Sequence, residues 1–206
     1  MIIAVDGPAA SGKGSIARAL AAHYGLPHLD TGLLYRAVGV ATARSGRDPD
    51  QEIDAAACCA IDDALLIDPE LRSEAAGALA SRVSQHPAVR AALFAYQQDF
   101  AHQKGGAVLD GRDIGTVIVP QAEVKLFVTA DAEVRAERRF KELVASGAET
   151  TFEQVLQDVI ARDARDSSRA TAPMVAAQDA VLIDTSHLSL SAAIAQAIAA
   201  VEQEFP

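Results

Sequence analysis

The segment Gly7-Pro8-Ala9-Ala10-Ser11-Gly12-Lys13-Gly14-Ser15 has the spacing G-x-x-x-x-G-K, which suits the cradling of nucleotide phosphates. Its glycines let backbone N–H groups turn inward around an anion, the helix that follows adds partial positive charge, and Lys13 reaches the outer phosphates. Gly14 stands where Ser or Thr is usual, and the hydroxyl moves one place on to Ser15. That weakens the case for a direct hydroxyl–Mg²⁺ bond. The expectation is an ion held mainly by phosphate oxygens and water, with no protein metal ligand assigned. A turn that starts a helix for structural reasons alone is the bland reading; a strand before the loop and an amphipathic helix after it favour the phosphate loop.

Three further groupings could serve the second reactant. Leu29-Asp30-Thr31-Gly32 precedes Tyr35-Arg36, so a hydroxyl, a ring and a guanidinium fall within the first turns of a helix for which Asp30 or Thr31 also reads as an N-cap. Gly111-Arg112-Asp113-Ile114-Gly115-Thr116 follows an apolar stretch; Arg112–Asp113 there is a site pair or a surface ion pair of little energetic consequence. In "DVIARDARDSSRATAP", Asp158, Arg162, Arg165, Asp166 and Arg169 share one helical stripe, with Phe152, Leu156, Val159 and Ile160 mostly on another. That stripe reads either as a solvated, ion-paired face or as a phosphate clamp.

Five short apolar stretches read as strands: 2–6, 27–30, 107–110, 124–128 and 180–184, four of them ending in Asp. Helical patterns fill the gaps, including Ile16, Ala17, Leu20, Ala21 and Tyr24. This alternation predicts a five-stranded parallel sheet flanked by helices, with ligands beyond the carboxyl ends of the strands. Residues 37–104 depart from it as a mostly helical insertion. One domain is expected over 1–206, with a core of 1–36, 105–150 and 173–206 and a short helical lid at 151–172.

Composition bounds the partners. A net charge of −10 disfavours polymeric DNA or RNA. With 14 Arg against 4 Lys, the basic residues suit a phosphate site, although compositional bias explains the count equally well. No apolar run has membrane-spanning length, and the N-terminus lacks an export signal. The two cysteines, Cys58 and Cys59, are adjacent, which disfavours a disulfide. Cytoplasmic location is therefore expected, and a monomer from size.

"GPAASGKG", "LDTGLLYR", "HPAVR", "LDGRDIGTVIVP", "RDARDSSRATAP" and "VLIDTSHLS" occur in this order along the chain. Together they resemble the bacterial cytidylate (CMP) kinases, within the nucleoside monophosphate kinases, over nearly the whole length. The resemblance implies an α/β P-loop kinase that transfers the γ-phosphoryl of MgATP to CMP or dCMP. It implies that Gly7 to Ser15 bind ATP, and that Ser81, Arg90 and Asp113 face cytosine with Thr31 close by. Tyr35 lies among these acceptor residues, and Arg36 and Arg112 hold the acceptor phosphate. Arg162, Asp166 and Arg169 meet sugar and phosphates as the lid closes. Lys13, Arg112, Arg162 and Arg169 would neutralise charge during transfer.

The chain departs from longer members of the family in its insertion. Only about fifty residues separate Arg36 from Arg90, so the small antiparallel sheet those members carry is expected to be reduced or absent. Thr31 stands where many relatives have Ser. Two rival readings share the loop: a small-metabolite kinase of the shikimate-kinase type, and a nucleotide-binding switch or ATPase. The first would need groups for a hydroxyl acceptor and no Arg90–Asp113 pairing. The second predicts an N-K-x-D or an apolar run ending in Asp-Glu, neither of which is present.

Overall fold

The computed structural model describes residues 1–205, the side chain of Asp63 excepted; position 206, the last of the third core range, lies outside the described residues. Five strands, β1 (Ile2–Asp6), β2 (His28–Asp30), β3 (Ala107–Gly111), β4 (Val124–Thr129) and β5 (Val181–Asp184), form one sheet in the order β2-β3-β1-β4-β5. Every pairing is parallel. The register places Asp6 opposite Gly111 and Asp30 opposite Asp110, so the acidic strand ends gather on one edge. That edge positions the site.

Side chains alternate across a strand, and β1 supplies both core layers. Ile3 and Val5 pack with Ile16, Ala17 and Leu20 of α1 (Lys13–Tyr24) and with Ala193 and Ala197 of α9 (Leu190–Glu204). Ile2 and Ala4 face the other way, onto Leu109, Ile118, Val119 and Ala101. The predicted helical face of α1 is thus the buried one.

Between β2 and β3 the described residues form α2 (Thr31–Arg44), α3 (Glu52–Ala56), α4 (Asp63–Leu66), a 3₁₀ turn at Pro69–Arg72, α5 (Glu74–Val83) and α6 (Pro87–Ala101), with no strand. α2 and α5 approach closely at Gly39, where a Cβ would lie 2.7 Å from Leu79 Cβ. Residue 36, where the expected core range ends, falls inside continuous α2, and Ala101 of α6 joins the sheet core.

α7 (Ala132–Ala145) and α8 (Phe152–Ser168) pack through Ala136, Val155 and Val159, with Phe140 edge-on to Phe152. A capping box between Thr151 and Gln154 starts α8. Two details of the periodicity change here. Ile160, expected on the apolar face, is 53% exposed, and Val155 takes the buried place. Among the described residues no helix is long and apolar enough to cross a membrane.

Candidate active site

The phosphate loop leaves β1 at Gly7, whose φ of 144° and lack of a Cβ are both required: a Cβ there would lie 2.0 Å from the Val128 carbonyl oxygen. Ala10 and Gly12 have φ of 58° and 91°, which turns the chain into a concave arch before α1. Among the described residues none of the backbone N–H groups from Ala9 to Gly14 donates to a protein acceptor. Buried or half-buried N–H groups rarely go unpaired, and such a set at a helix start has the makings of an anion cradle.

Lys13 is half-buried, its Nζ donating to Pro8 O at 3.4 Å. Burial, reinforced by the Arg112 charge, pushes its ammonium down to about 7, against the pull of Asp110 and Asp30. Gly14 fits this arrangement. A Cβ there would lie 3.8 Å from Asp110 Oδ1, so a carboxylate fronts the loop where the usual hydroxyl would begin. The Ser15 hydroxyl accepts from Arg18 Nη2 at 3.2 Å.

The strand-end carboxylates divide their work. Asp6 is buried and accepts from the N–H groups of Ile114 and Gly115, both at 2.8 Å, which ties the turn after Arg112–Asp113 to the base of the loop. Its carboxyl is pushed up to about 7 because burial outweighs those two bonds. Asp110 contacts His28 Nε2 at 2.7 Å. Asp30 lies in register with it, and burial, then the Asp110 charge, raise the Asp30 carboxyl.

On the acceptor side, Thr31, Tyr35, Ser81, Arg90, Arg112, Asp113, Arg162, Asp166 and Arg169 all line one pocket. Arg90 and Asp113 form a buried ion pair, and Arg90 Nη1 also donates to Ser84 O at 3.3 Å. The Arg90 guanidinium lies 5.5 Å from the centre of the Tyr35 ring, a cation–π distance. Asp166 accepts from Arg112 Nε at 2.9 Å and from the Ser81 hydroxyl at 3.5 Å. Although burial opposes it, Arg112, Arg162 and Arg169 hold the Asp166 carboxyl below its ordinary range.

Two expectations at the start of α2 change. Neither Asp30 nor Thr31 caps it through a side chain; the buried Thr31 hydroxyl donates to Asp110 O at 2.8 Å. Arg36 points one edge at protein, Nη1 donating to Leu71 O at 2.7 Å and to Ser73 O at 3.0 Å. Its Nη2 and Arg162 Nη1 both lie 3.3 Å from where a Cβ of Gly77 would stand, so two guanidiniums converge. Burial, then the Arg112 charge, push Arg162 down to about 10.

Burial argues against the solvated reading of the charged stripe. Asp166 and Arg169 are buried and Arg162 half-buried, whereas Asp158 is exposed. Arg162 Nε and Arg169 Nη2 are buried without a hydrogen-bond partner. Arg162 Nε lies 3.9 Å from Asp166 Oδ2, an ion-pair contact longer than a hydrogen bond, and buried donors are seldom left unpaired. A cavity of about 320 Å³ joins Ala9 and Ala10 of the loop to Arg36 and Arg162, and Arg162 also lines the acceptor pocket.

Several participants escaped the sequence reading. Arg139 makes an ion pair with Glu74 and lines that cavity. Arg135 donates to Ala9 O at 3.3 Å and to Asp163, and so holds the loop against α8. Arg138 and Thr185 flank the loop from the far side. The run Arg135, Arg138, Arg139 at helical spacing was the available signal, in a helix without a Gly-rich or acidic landmark. Arg165, on the stripe, donates to Ser81 Oγ at 3.2 Å.

A family model described as Cytidylate kinase matches residues 3–203. Curated relatives named Cytidylate kinase include one from Xanthobacter autotrophicus, 58% identical over 203 residues, covering 98% of this chain and 97% of the relative. Another, from Azorhizobium caulinodans, is 56% identical and covers 98% of each chain. A third, from Caulobacter vibrioides, is 56% identical over 98% of this chain and 95% of its own. Among solved structures, an uncharacterized protein from Eubacterium ventriosum shares the fold, with a TM-score of 0.57 at 16% identity and 98% coverage of each chain. The loop, the acceptor pocket and these full-length matches agree: the chain belongs to the cytidylate kinase family.

Proposed function

We propose that this chain transfers the γ-phosphoryl group of ATP to CMP or dCMP, giving ADP and the nucleoside diphosphate. The observation that carries the reading is an N–H cradle without protein acceptors beside Arg162, which lines both the cavity at the loop and the acceptor pocket, where Arg162 Nε and Arg169 Nη2 are buried without a hydrogen-bond partner. One set of donors suits the donor phosphates and the other suits an acceptor phosphate. The names of the relatives support cytidylate as that acceptor.

Phosphoryl transfer asks a protein chiefly for alignment and charge neutralisation. The acceptor oxygen belongs to a phosphate and is already anionic, so no strong general base is required. Gly7, Pro8, Ala9, Ala10, Ser11, Gly12, Lys13, Gly14 and Ser15 would hold ATP. Arg36, Arg112, Arg162 and Arg169 would orient the acceptor phosphate and neutralise the group in transit. Arg90 and Asp113 would face the cytosine ring beside Tyr35 and Thr31, while Ser81 and Asp166 would meet base and sugar. Residues 37–104 would serve as the acceptor-binding insertion and 151–172 as the lid that excludes water.

Mg²⁺ fits the donor side. The charges of Asp30 and Asp110 act on Lys13, and a half-buried Asp30 whose carboxyl is raised by burial, then by the Asp110 charge, gains from a dication. These two would hold the ion through its water shell, the phosphates supplying its remaining ligands. When bound, it supplies charge neutralisation to those phosphates. We place the enzyme in the cytoplasm as a monomer. The test is ADP release by the purified chain with ATP and Mg²⁺, with and without CMP, dCMP, UMP and shikimate. Rapid release with CMP alone or with CMP and dCMP supports the reading. Release with shikimate, or equal release with no acceptor, refutes it.

A further inference from the structure

The segment Val181 to Ser189 gives the site a residue with no role in the transfer just described. Thr185 directly follows β5, is 3% exposed, and donates its backbone N–H to Thr129 O at 2.8 Å. Its hydroxyl donates to the Ser11 carbonyl oxygen at 2.8 Å, a shorter contact than the 3.2 Å to Thr129 O. Arg138 fixes the other side: Nη1 donates to Thr185 Oγ1 at 2.9 Å, and Nη2 to Thr185 O at 2.6 Å. A hydroxyl has one proton. With Arg138 donating to its lone pair, that proton is directed at Ser11.

The consequence follows from peptide geometry. A trans peptide is planar, so its carbonyl and the next N–H point in opposite directions. Holding Ser11 C=O outward, towards Thr185, aims Gly12 N–H inward, into the cradle. This unit needs holding. It is bounded by Ser11 and by Gly12, which has a positive φ as Ala10 before it does, and the space beside Gly12 is open, with nothing within 4 Å of where its Cβ would be. A glycine in open space turns its preceding peptide at little steric cost.

We propose that Thr185, oriented by Arg138, is a positioning residue that locks the Ser11–Gly12 peptide and thereby sets one of the N–H donors to the ATP phosphates. The proposal rests on the phosphoryl-transfer reading of the loop. It predicts an effect confined to the donor side, since Thr185 touches no acceptor residue.

The test is direct binding by calorimetry, with ATP, inorganic pyrophosphate and CMP each titrated separately into the wild type, Thr185→Val and Thr185→Ser. Losing one hydrogen bond to a charged ligand should weaken ATP and pyrophosphate in Thr185→Val by about tenfold or more, with CMP unchanged within about twofold. Thr185→Ser, which keeps the hydroxyl, should bind all three like the wild type. Should valine fail to fold, Thr185→Cys replaces it: a thiol is a weak donor of serine-like size, and it should lose donor affinity where serine does not. The proposal is overturned if the valine or cysteine variant binds ATP like the wild type. It is also overturned if ATP and CMP weaken together with a lower Tm, or if serine fails to rescue. A wild-type chain that bound neither ATP nor pyrophosphate would instead sink the phosphoryl-transfer reading itself, and the proposal with it.

Discussion

Removing Asp113 should damage the protein in two separable ways. Arg90 and Asp113 are each 7% exposed at the side chain and face one another directly. Asp113→Ala leaves a buried guanidinium with the Ser84 carbonyl and the Tyr35 ring as its remaining company. Breaking a buried pair by deleting one partner costs about 3–5 kcal/mol, because the other charge stays behind. At about 2–4 °C per kcal/mol for a chain of this size, Tm should fall by about 6–20 °C. Replacing both partners with apolar residues of similar volume, as in Arg90→Met with Asp113→Leu, should return most of that loss. Catalysis should not return with it. Two mismatched polar groups at about 1–3 kcal/mol each support a CMP over UMP preference of about 10²-fold, which both variants should narrow. Thermal melts and steady-state kinetics with CMP and UMP at saturating ATP measure the two effects. A single variant that melts with the wild type, or a double variant no more stable than the single, would refute the stranded-charge argument. An unchanged CMP to UMP ratio would remove the pair from the base site.

Lys13→Met should keep the fold and lose most turnover, checked by circular dichroism and kcat/KM; a folded variant with near wild-type kcat/KM would be decisive against the loop assignment. Because the free Lys13 ammonium sits at about 7 and phosphates favour its charged form, ATP binding should take up a proton. Affinity should therefore weaken as pH rises above about 7, and calorimetry in buffers of different ionisation enthalpy reads the uptake; Lys13→Met should abolish it. Arg162→Met should lower kcat/KM by about tenfold or more, since a hydrogen bond to a charged group contributes about 1.5–3 kcal/mol. Its Tm should hold or rise, because burial and the Arg112 and Arg36 charges already disfavour the native guanidinium. A large fall in Tm with activity retained would return Arg162 to a structural role.

The sheet and its order of chemistry were legible because they depend on local signals. The strand at Ile2–Asp6, the helix starting at Lys13 and the buried face of Ile16, Ala17, Leu20 and Ala21 follow from periodicity and from a loop that only glycine-rich sequence forms. The helical reading of the insertion came the same way. Acidic residues at strand ends reach one edge in a parallel sheet whatever the pairing order, so the place of the candidate site was legible too.

Pairing and burial were not legible, since both depend on residues far apart in the chain. The stripe from Asp158 to Arg169 reads equally as solvated face or clamp until Asp166 meets Arg112, 54 positions away, and loses its water. Thr31 looked like a cap; only the neighbouring strand's Asp110 carbonyl makes it a cross-link instead. The apolar spacing of α8 favours Ile160, yet α7 contacts the turn of the helix that buries Val155. Arg135, Arg138 and Arg139 sit in an ordinary-looking helix and gain meaning from Ala9, Thr185 and Glu74, each more than forty positions away. The sequence by itself set the phosphate loop, the parallel sheet and the edge where chemistry would occur, because backbone preference and side-chain period act over a few residues. The tertiary structure alone decided which arginine nitrogens are buried without a hydrogen-bond partner and which hydroxyl meets the loop's Ser11 carbonyl, because desolvation and hydrogen-bond partnership belong to the packed chain.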